Sequence, residues 1–109
     1  LRTHPVPRVT IGGGFGKMTK LAQGALDLHS GRSQVDLDFL AGCAPELPRE
    51  KVLAANTAQE VLEMAGGSWL AQRVAEKALS TVRAVLREAP VAGDVIIISR
   101  KGEIIAHAA

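Results

Sequence analysis

Apolar and polar positions along the chain change period several times, and each change marks an element. Residues Arg8 to Ile11, "RVTI", alternate β-branched and polar side chains and predict a strand. From Phe15 the apolar residues Phe15, Met18, Leu21, Ala22, Ala25 and Leu26 recur at spacings of three and four, predicting a helix to about Leu28. Gly24 falls inside that helix, where it costs about 0.5–1 kcal/mol relative to alanine. The period stops in "HSGRSQVD", a loop around Gly31. Ser33 and Asp36 have capping-box spacing and predict a short helix from Ser33 to about Ala41, with Val35, Phe39 and Leu40 inward. Pro45 and Pro48 bracket another loop, and Pro48 suits the first position of a third helix, about 48 to 65, carrying Val52, Ala55, Ala58, Val61 and Leu62.

Gly66 and Gly67 break that helix, Ser68 can cap the next, and the longest stripe of the chain follows: Leu70, Val74, Ala75, Ala78, Leu79, Val82, Val85 and Leu86. Arg73, Glu76, Lys77, Ser80, Arg83 and Arg87 form the opposite face. Pro90 and Gly93 mark its exit. "DVIIIS" then reads as a strand covered on both faces, and "EIIAHA" follows after "RKG", a hairpin with Gly102 at positive φ. The expectation is a mixed α+β fold of the α/β class: one N-terminal strand and a C-terminal hairpin in a small sheet, packed with about four helices, in a single domain over residues 1–109.

Composition narrows the picture. Of the 109 residues 47% are hydrophobic but only 3% aromatic, so the core must be aliphatic and rich in alanine. A net charge of +2 from well-mixed residues gives no ground for non-specific binding to nucleic acid or membrane. Cys43 is alone, which removes an intrachain disulfide and points to a reducing, cytoplasmic setting. No apolar run approaches the roughly 18 residues of a membrane span. Residues 1–7, with two prolines and no period, look like a mid-protein connector, and the chain is expected to be a piece of a longer one. A homo-oligomer is left open.

The densest candidate chemistry is "IGGGFGKMTK", which holds Gly12, Gly13, Gly14 and Gly16 at a strand-to-helix turn. It is not a P-loop: counting back from Gly16-Lys17 places Ile11 at the first glycine, and Met18 stands where a hydroxyl should be. It is not the dinucleotide fingerprint either, which asks for glycine at Lys17. What survives is an amide-lined turn at a helix N-terminus, suited to a carboxylate as well as to a phosphate, or else a tight turn with no ligand. Lys17, Lys20 and Asp27 lie off the apolar stripe and read first as a solvated face. His29 continues the stripe and reads as a buried or end-capping histidine, but Ser30, Arg32 and Ser33 follow it in a loop, where polar function concentrates. Cys43 reads as core and Trp69 as a packing anchor, while His4 and His107 lack ligand spacing and receive no role.

The run "VTIGGGFGKMTKLAQGALDLHSGRSQVDLDFLA", Val9 to Ala41, closely resembles the C-terminal region of the CbiD family, cobalt-precorrin-5B C-1 methyltransferases of anaerobic cobalamin (vitamin B12) synthesis. The resemblance rests on Gly16-Lys17, Lys20-Leu21-Ala22, His29-Ser30 and Arg32-Ser33 with Asp36, and the tail "AGDVIIISRKGEIIAHAA" looks like the family's terminal hairpin. Members of that family are far longer, so the resemblance implies the C-terminal domain of a methyltransferase, without turnover on its own. It further implies methyl transfer from S-adenosylmethionine to C-1 of a cobalt-bearing tetrapyrrole, giving cobalt-precorrin-6A, with no metal held by the protein. On that reading Gly12, Gly13, Gly14 and Gly16 hold the donor; Lys17, Lys20, Ser30, Arg32 and Ser33 meet tetrapyrrole carboxylates; and His29 or Asp36 relays a proton or positions a group. The alternatives are a non-catalytic module that binds a nucleotide or an acidic partner through the glycine loop, and a structural subunit-contact domain.

Overall fold

A computed structural model of the chain describes residues 8–24, 36–87 and 91–109. Its elements run β1 (Arg8–Gly13), α1 (Phe15–Ala22), α2 (Leu37–Cys43), α3 (Arg49–Leu53), α4 (Ala58–Ala65), α5 (Trp69–Leu86), β2 (Ala92–Ile98) and β3 (Ile104–Ala108). The mixed α+β class holds: a three-stranded sheet in the order β1-β2-β3 packs with helices. β1 lies parallel to β2, with Arg8 opposite Ala92 and Gly13 opposite Ile97, and β3 returns antiparallel to β2.

Five helices among the described residues, not about four, come from a break within 48–65. Thr57 accepts the Glu60 amide at 3.2 Å and the Glu60 carboxylate takes the Asn56 amide at 2.7 Å, so "TAQE" starts α4 in the manner of a capping box. The helix from Phe15 stops at Ala22 rather than near Leu28, and Gly24 lies beyond its end at φ +91, a left-handed conformation that no α-helix continues through. Ser33 lies outside the described residues; α2 begins at Leu37, with Asp36 as its N-cap accepting from the Asp38 and Phe39 amides at 2.9 and 3.4 Å. Gly102 sits at φ +85 in the hairpin turn, as its place after Arg100-Lys101 predicts.

Two of the described helices, α1 and α5, pack on one face of the sheet, and α2 and α4 pack on them. Leu70, Val74, Ala75, Ala78 and Val82 of α5 meet Val95 and Ile97 of β2 and Ala106 and Ala108 of β3, and Met18 of α1 joins the same core. The expected covering of β2 on both sides is corrected: Val95 and Ile97 are fully buried, whereas Ile96 and Ile98 on the other face are half-buried. Val85 likewise leaves the predicted stripe and is exposed, while its neighbour Leu86 still packs against the core. At the far side of α5, Arg73 stacks 4.7 Å over Trp69 and grips Glu46 through two hydrogen bonds of 2.7 and 2.8 Å, tying the loop after α2 to α5. Its guanidinium also donates to the Cys43 carbonyl at 2.8 Å.

Two outcomes test this packing. A methyl at Gly93 would stand 2.8 Å from Val82 Cγ1 and 3.2 Å from Leu86 Cδ1, and the branched valine has no free end to swing away. Overpacking costs about 1–3 kcal/mol against roughly 0.5–1 recovered by removing a strand glycine, so Gly93→Ala should destabilise the chain in chemical denaturation. Hydrogen bonds from Arg73 pull the Glu46 carboxyl down from 4.5 to about 2. Because the folded value is the lower one, this pair supports the fold above about pH 4.5 and loses its contribution as the pH falls toward 2. In an NMR titration of the carboxyl carbon, Arg73→Ala should return the Glu46 midpoint toward the ordinary glutamate range.

Candidate functional site

β1 delivers the chain to α1 through the glycine turn. Gly14 is the N-cap of α1 at φ −71 and ψ 170 and offers no side chain to the helix, so the amides of Phe15, Gly16 and Lys17 precede the first intrahelical bond, Met18 N–H to the Gly14 carbonyl at 3.0 Å, without a capping group. The four glycines divide into two pairs. A Cβ at Gly12 would approach Ile96 Cγ1 to 3.0 Å, and one at Gly13 would approach Lys17 Cδ to 3.0 Å and Met18 Cε to 3.2 Å, so packing accounts for both. A Cβ at Gly14 or Gly16 would meet nothing within 4 Å, and neither has positive φ. Neither a positive φ nor packing among the described residues asks for glycine at these two positions.

Lys17 is exposed with its stem over Gly13, and Lys20 is half-buried; neither forms an ion pair among the described residues. Asp36 is not beside the turn. Its amide donates to Gln23 Oε1 at 2.8 Å, which places it at the C-terminal end of α1, about 12 Å along the helix from Gly14. Gly24 also helps line an open depression of about 510 Å³, together with Phe39, Lys77, Ser80 and Thr81. His29, Ser30, Arg32 and Ser33 lie outside the described residues. Cys43 is buried, and that burial raises its thiol pKa, in keeping with a core residue.

The other face of the sheet, where no described helix packs, carries a cluster that sequence reasoning missed. Asp94 is 7% exposed; its Oδ1 accepts the Thr10 hydroxyl at 2.7 Å, its Oδ2 stands 3.0 Å from His107 Nε2, and Arg8 lies 3.8 Å away. Gln72 of α5 holds the His107 backbone from both sides, donating to its carbonyl at 2.8 Å and accepting from its amide at 3.1 Å. The sequence does carry a signal: an aspartate within "DVIIIS" must find partners when its strand is buried, and His107 alternates with two inward alanines on the neighbouring strand. Among the described residues no three His, Cys, Asp or Glu side chains converge as a metal site, and no helix is long and apolar enough to cross a membrane.

Comparison with known proteins gives consistent matches. The profile of the family described as "CbiD, C-terminal domain" matches residues 27–109. Proteins named cobalt-precorrin-5B C(1)-methyltransferase from Brucella anthropi, Brucella ovis and Brucella canis are each 53% identical over 115 aligned residues, covering 98% of this chain. The chain spans 31% of the length of each of these relatives. No solved structure matches.

The Asp94 cluster has a definite pH signature. The Thr10 hydrogen bond first, and the His107 contact second, hold its carboxyl below the usual aspartate value of 3.8. With the folded value depressed, the stabilisation is present above that pH and disappears as the pH falls through the folded value. In acid-denaturation curves, the advantage of the wild type over Asp94→Asn should therefore shrink steadily below about pH 4.

Proposed function

This chain belongs to the CbiD family, and on that premise we propose that residues 1–109 form the C-terminal domain of a longer S-adenosylmethionine-dependent C-methyltransferase of cobalamin biosynthesis, acting on C-1 of cobalt-precorrin-5B in the cytoplasm. The observation that supports this is the 53% identity, over 98% of the chain, to proteins bearing that name.

Within that reading the glycine turn receives the donor. S-adenosylmethionine carries its methyl on a sulfonium and ends in a carboxylate, with no phosphate, which agrees with the failure of both phosphate motifs. The carboxylate is assigned to the uncapped amides of Gly16 and Lys17 and the positive end of the α1 dipole, with Gly12 and Gly13 closing the turn and Gly14 and Gly16 leaving room for approach. Lys17 and Lys20, together with Ser30, Arg32 and Ser33, are assigned to the carboxylates of the tetrapyrrole. His29 keeps a proton-relay or orienting role. For Asp36 the reading favours a positioning role: its carboxylate fixes the start of α2 while its amide ties that start to α1 through Gln23. Methyl transfer is mainly a matter of alignment and exclusion of water, so this is work a rigid strand–turn–helix can do.

The structure supplies a cleaner test than a bulky substitution at Gly13, whose neighbours are already tight. Gly14→Asp places a favoured N-cap residue in open space, so the fold should keep or gain stability, by roughly a few tenths of a kcal/mol. The new carboxylate takes the same amides and repels the ligand's. Calorimetry on the full-length protein should show affinity for S-adenosylhomocysteine falling by about tenfold or more, the equivalent of roughly 1.4 kcal/mol. An unchanged affinity would remove the turn as the donor site.

A further inference from the structure

We propose that the outer edge of β1 is an internal docking edge: a strand from the part of the longer polypeptide outside residues 1–109 pairs along Arg8–Gly13, and its side chains cover Val9 and Val85. The inference rests on the reading of this chain as the C-terminal part of a longer enzyme, and not on where the donor or the tetrapyrrole sits.

The two edges of the sheet are finished differently. The order β1-β2-β3 makes β1 and β3 its margins. At β3, Gln72 takes both the amide and the carbonyl of His107, so a side chain occupies backbone groups that a neighbouring strand would use. Among the described residues no side chain and no loop does this for β1. Backbone groups point alternately to either side of a strand, so pairing with β2 engages every second residue of β1 and leaves the others with donor and acceptor facing outward. Natural edges are blunted with proline, lysine or a bulge. "RVTIGG" has no proline and no lysine, three of its residues are β-branched, and its register with β2 runs without a shift from Arg8 to Gly13.

Topology points the same way. A parallel sheet often ends in one antiparallel strand, and β3 is such a margin. Only β1 and β2 are parallel, so the parallel part of the sheet has one side on which to continue, beyond β1.

Apolar surface lies beside that edge. Val9 is 39% exposed and Val85 59% exposed. Val9 pairs with Gly93, where an added methyl would meet Val82 and Leu86, so Val9 stands level with the last turn of α5. On α5, Gln72 reaches β3, whereas Thr81 borders the depression shared with Ala22 of α1. Val85 is one turn beyond Thr81 and therefore lies on the α1 side of α5, away from β3. A strand laid along β1 turns alternate side chains toward the helices, where these two valines wait.

The occupant follows from length. The chain spans 31% of its relatives, and the family model that matches residues 27–109 is that of a C-terminal domain, so most of the full-length polypeptide is tethered to this one. A tethered strand meets the edge at a far higher effective concentration than a second copy does, and closes it. Because β1 runs directly into Gly14 and α1, such a strand also brings the rest of the enzyme alongside the glycine turn.

The test uses the full-length protein. In residue-resolved hydrogen–deuterium exchange, every amide from Val9 to Gly13 should exchange about a hundredfold or more slower than in an unstructured chain. Fast exchange at every second residue of β1 would show a free edge and overturn the proposal. So would protection that disappears on dilution, which would give the edge to a second copy. Val85→Gln supplies an independent sign. Glutamine is the better helix former, so on a free surface the thermal midpoint holds or rises. Under a docked strand it buries an amide, and the midpoint should fall by about 2 °C or more. An unchanged or raised midpoint would overturn the covering of Val85. Neither measurement reads turnover, so a full-length protein that fails to methylate cobalt-precorrin-5B rejects the methyltransferase reading and leaves this one to its own test.

Discussion

The parallel pairing of β1 with β2 is the constraint on which the rest of the structure depends. It joins residues 8–13 to residues 92–97. A parallel pair needs a crossover, and here the crossover includes the five described helices, of which α1 and α5 pack on the sheet. The chain thus closes a long loop before it gains any strand bonding, and the hydrophobic face of α5 against Val95 and Ile97 must offset that entropy. Small residues make this contact close: Ala75 and Ala78 on the helix, Gly93 on the strand and alanines at 106 and 108 let backbone approach backbone. In a chain with only 3% aromatic residues the core has few other ways to reach normal density.

One-sided packing has a further consequence. Parallel strands ordinarily have both faces covered, yet β1 and β2 turn Thr10, Gly12, Asp94 and Ile96 to a side that no described helix occupies. Burying a carboxylate in such a strand is costly without partners, and all three strands contribute to meeting the cost: Thr10 from β1, His107 from β3, with Arg8 nearby. That cluster fixes the register of both neighbours against β2, since a slip of one residue would carry Thr10 or His107 to the helix side. Gln72 adds a second lock by bonding both backbone groups of His107 along the outer edge of β3, where an unpaired strand would otherwise be open to association.

Much of this was legible in the sequence because it is periodic. The stripe from Leu70 to Val82, the alternation in "RVTI", the hairpin glycine at 102 and the aliphatic core all follow from residue type and spacing. What escaped depends on local chemistry or on distance. The break before α4 is written in "TAQE", but a continuous apolar period across Val52, Ala55, Ala58 and Val61 masked it. Gly24 reads as a weak point in a helix until its positive φ makes it the end of one. Thr10 and Asp94, 84 residues apart, cannot be paired from one sequence, and His107 has no ligand spacing because its partner sits on another strand.

The glycine turn shows how a motif changes meaning once its neighbours are known. Read along the chain, four glycines form one phosphate-like loop; read in space, they do three different things. Gly13 makes room for α1, Gly12 keeps the open face of the sheet flat over Ile96, and Gly14 and Gly16 leave amides uncovered with no steric reason to do so. The first belongs to folding. The other two belong to surfaces that meet at the same turn: one carries the uncapped amides at the start of α1, the other is the open sheet face with Ile96 beside the Asp94–His107 pair. The parallel pairing brings them together by placing β1 beside the hairpin of β2 and β3.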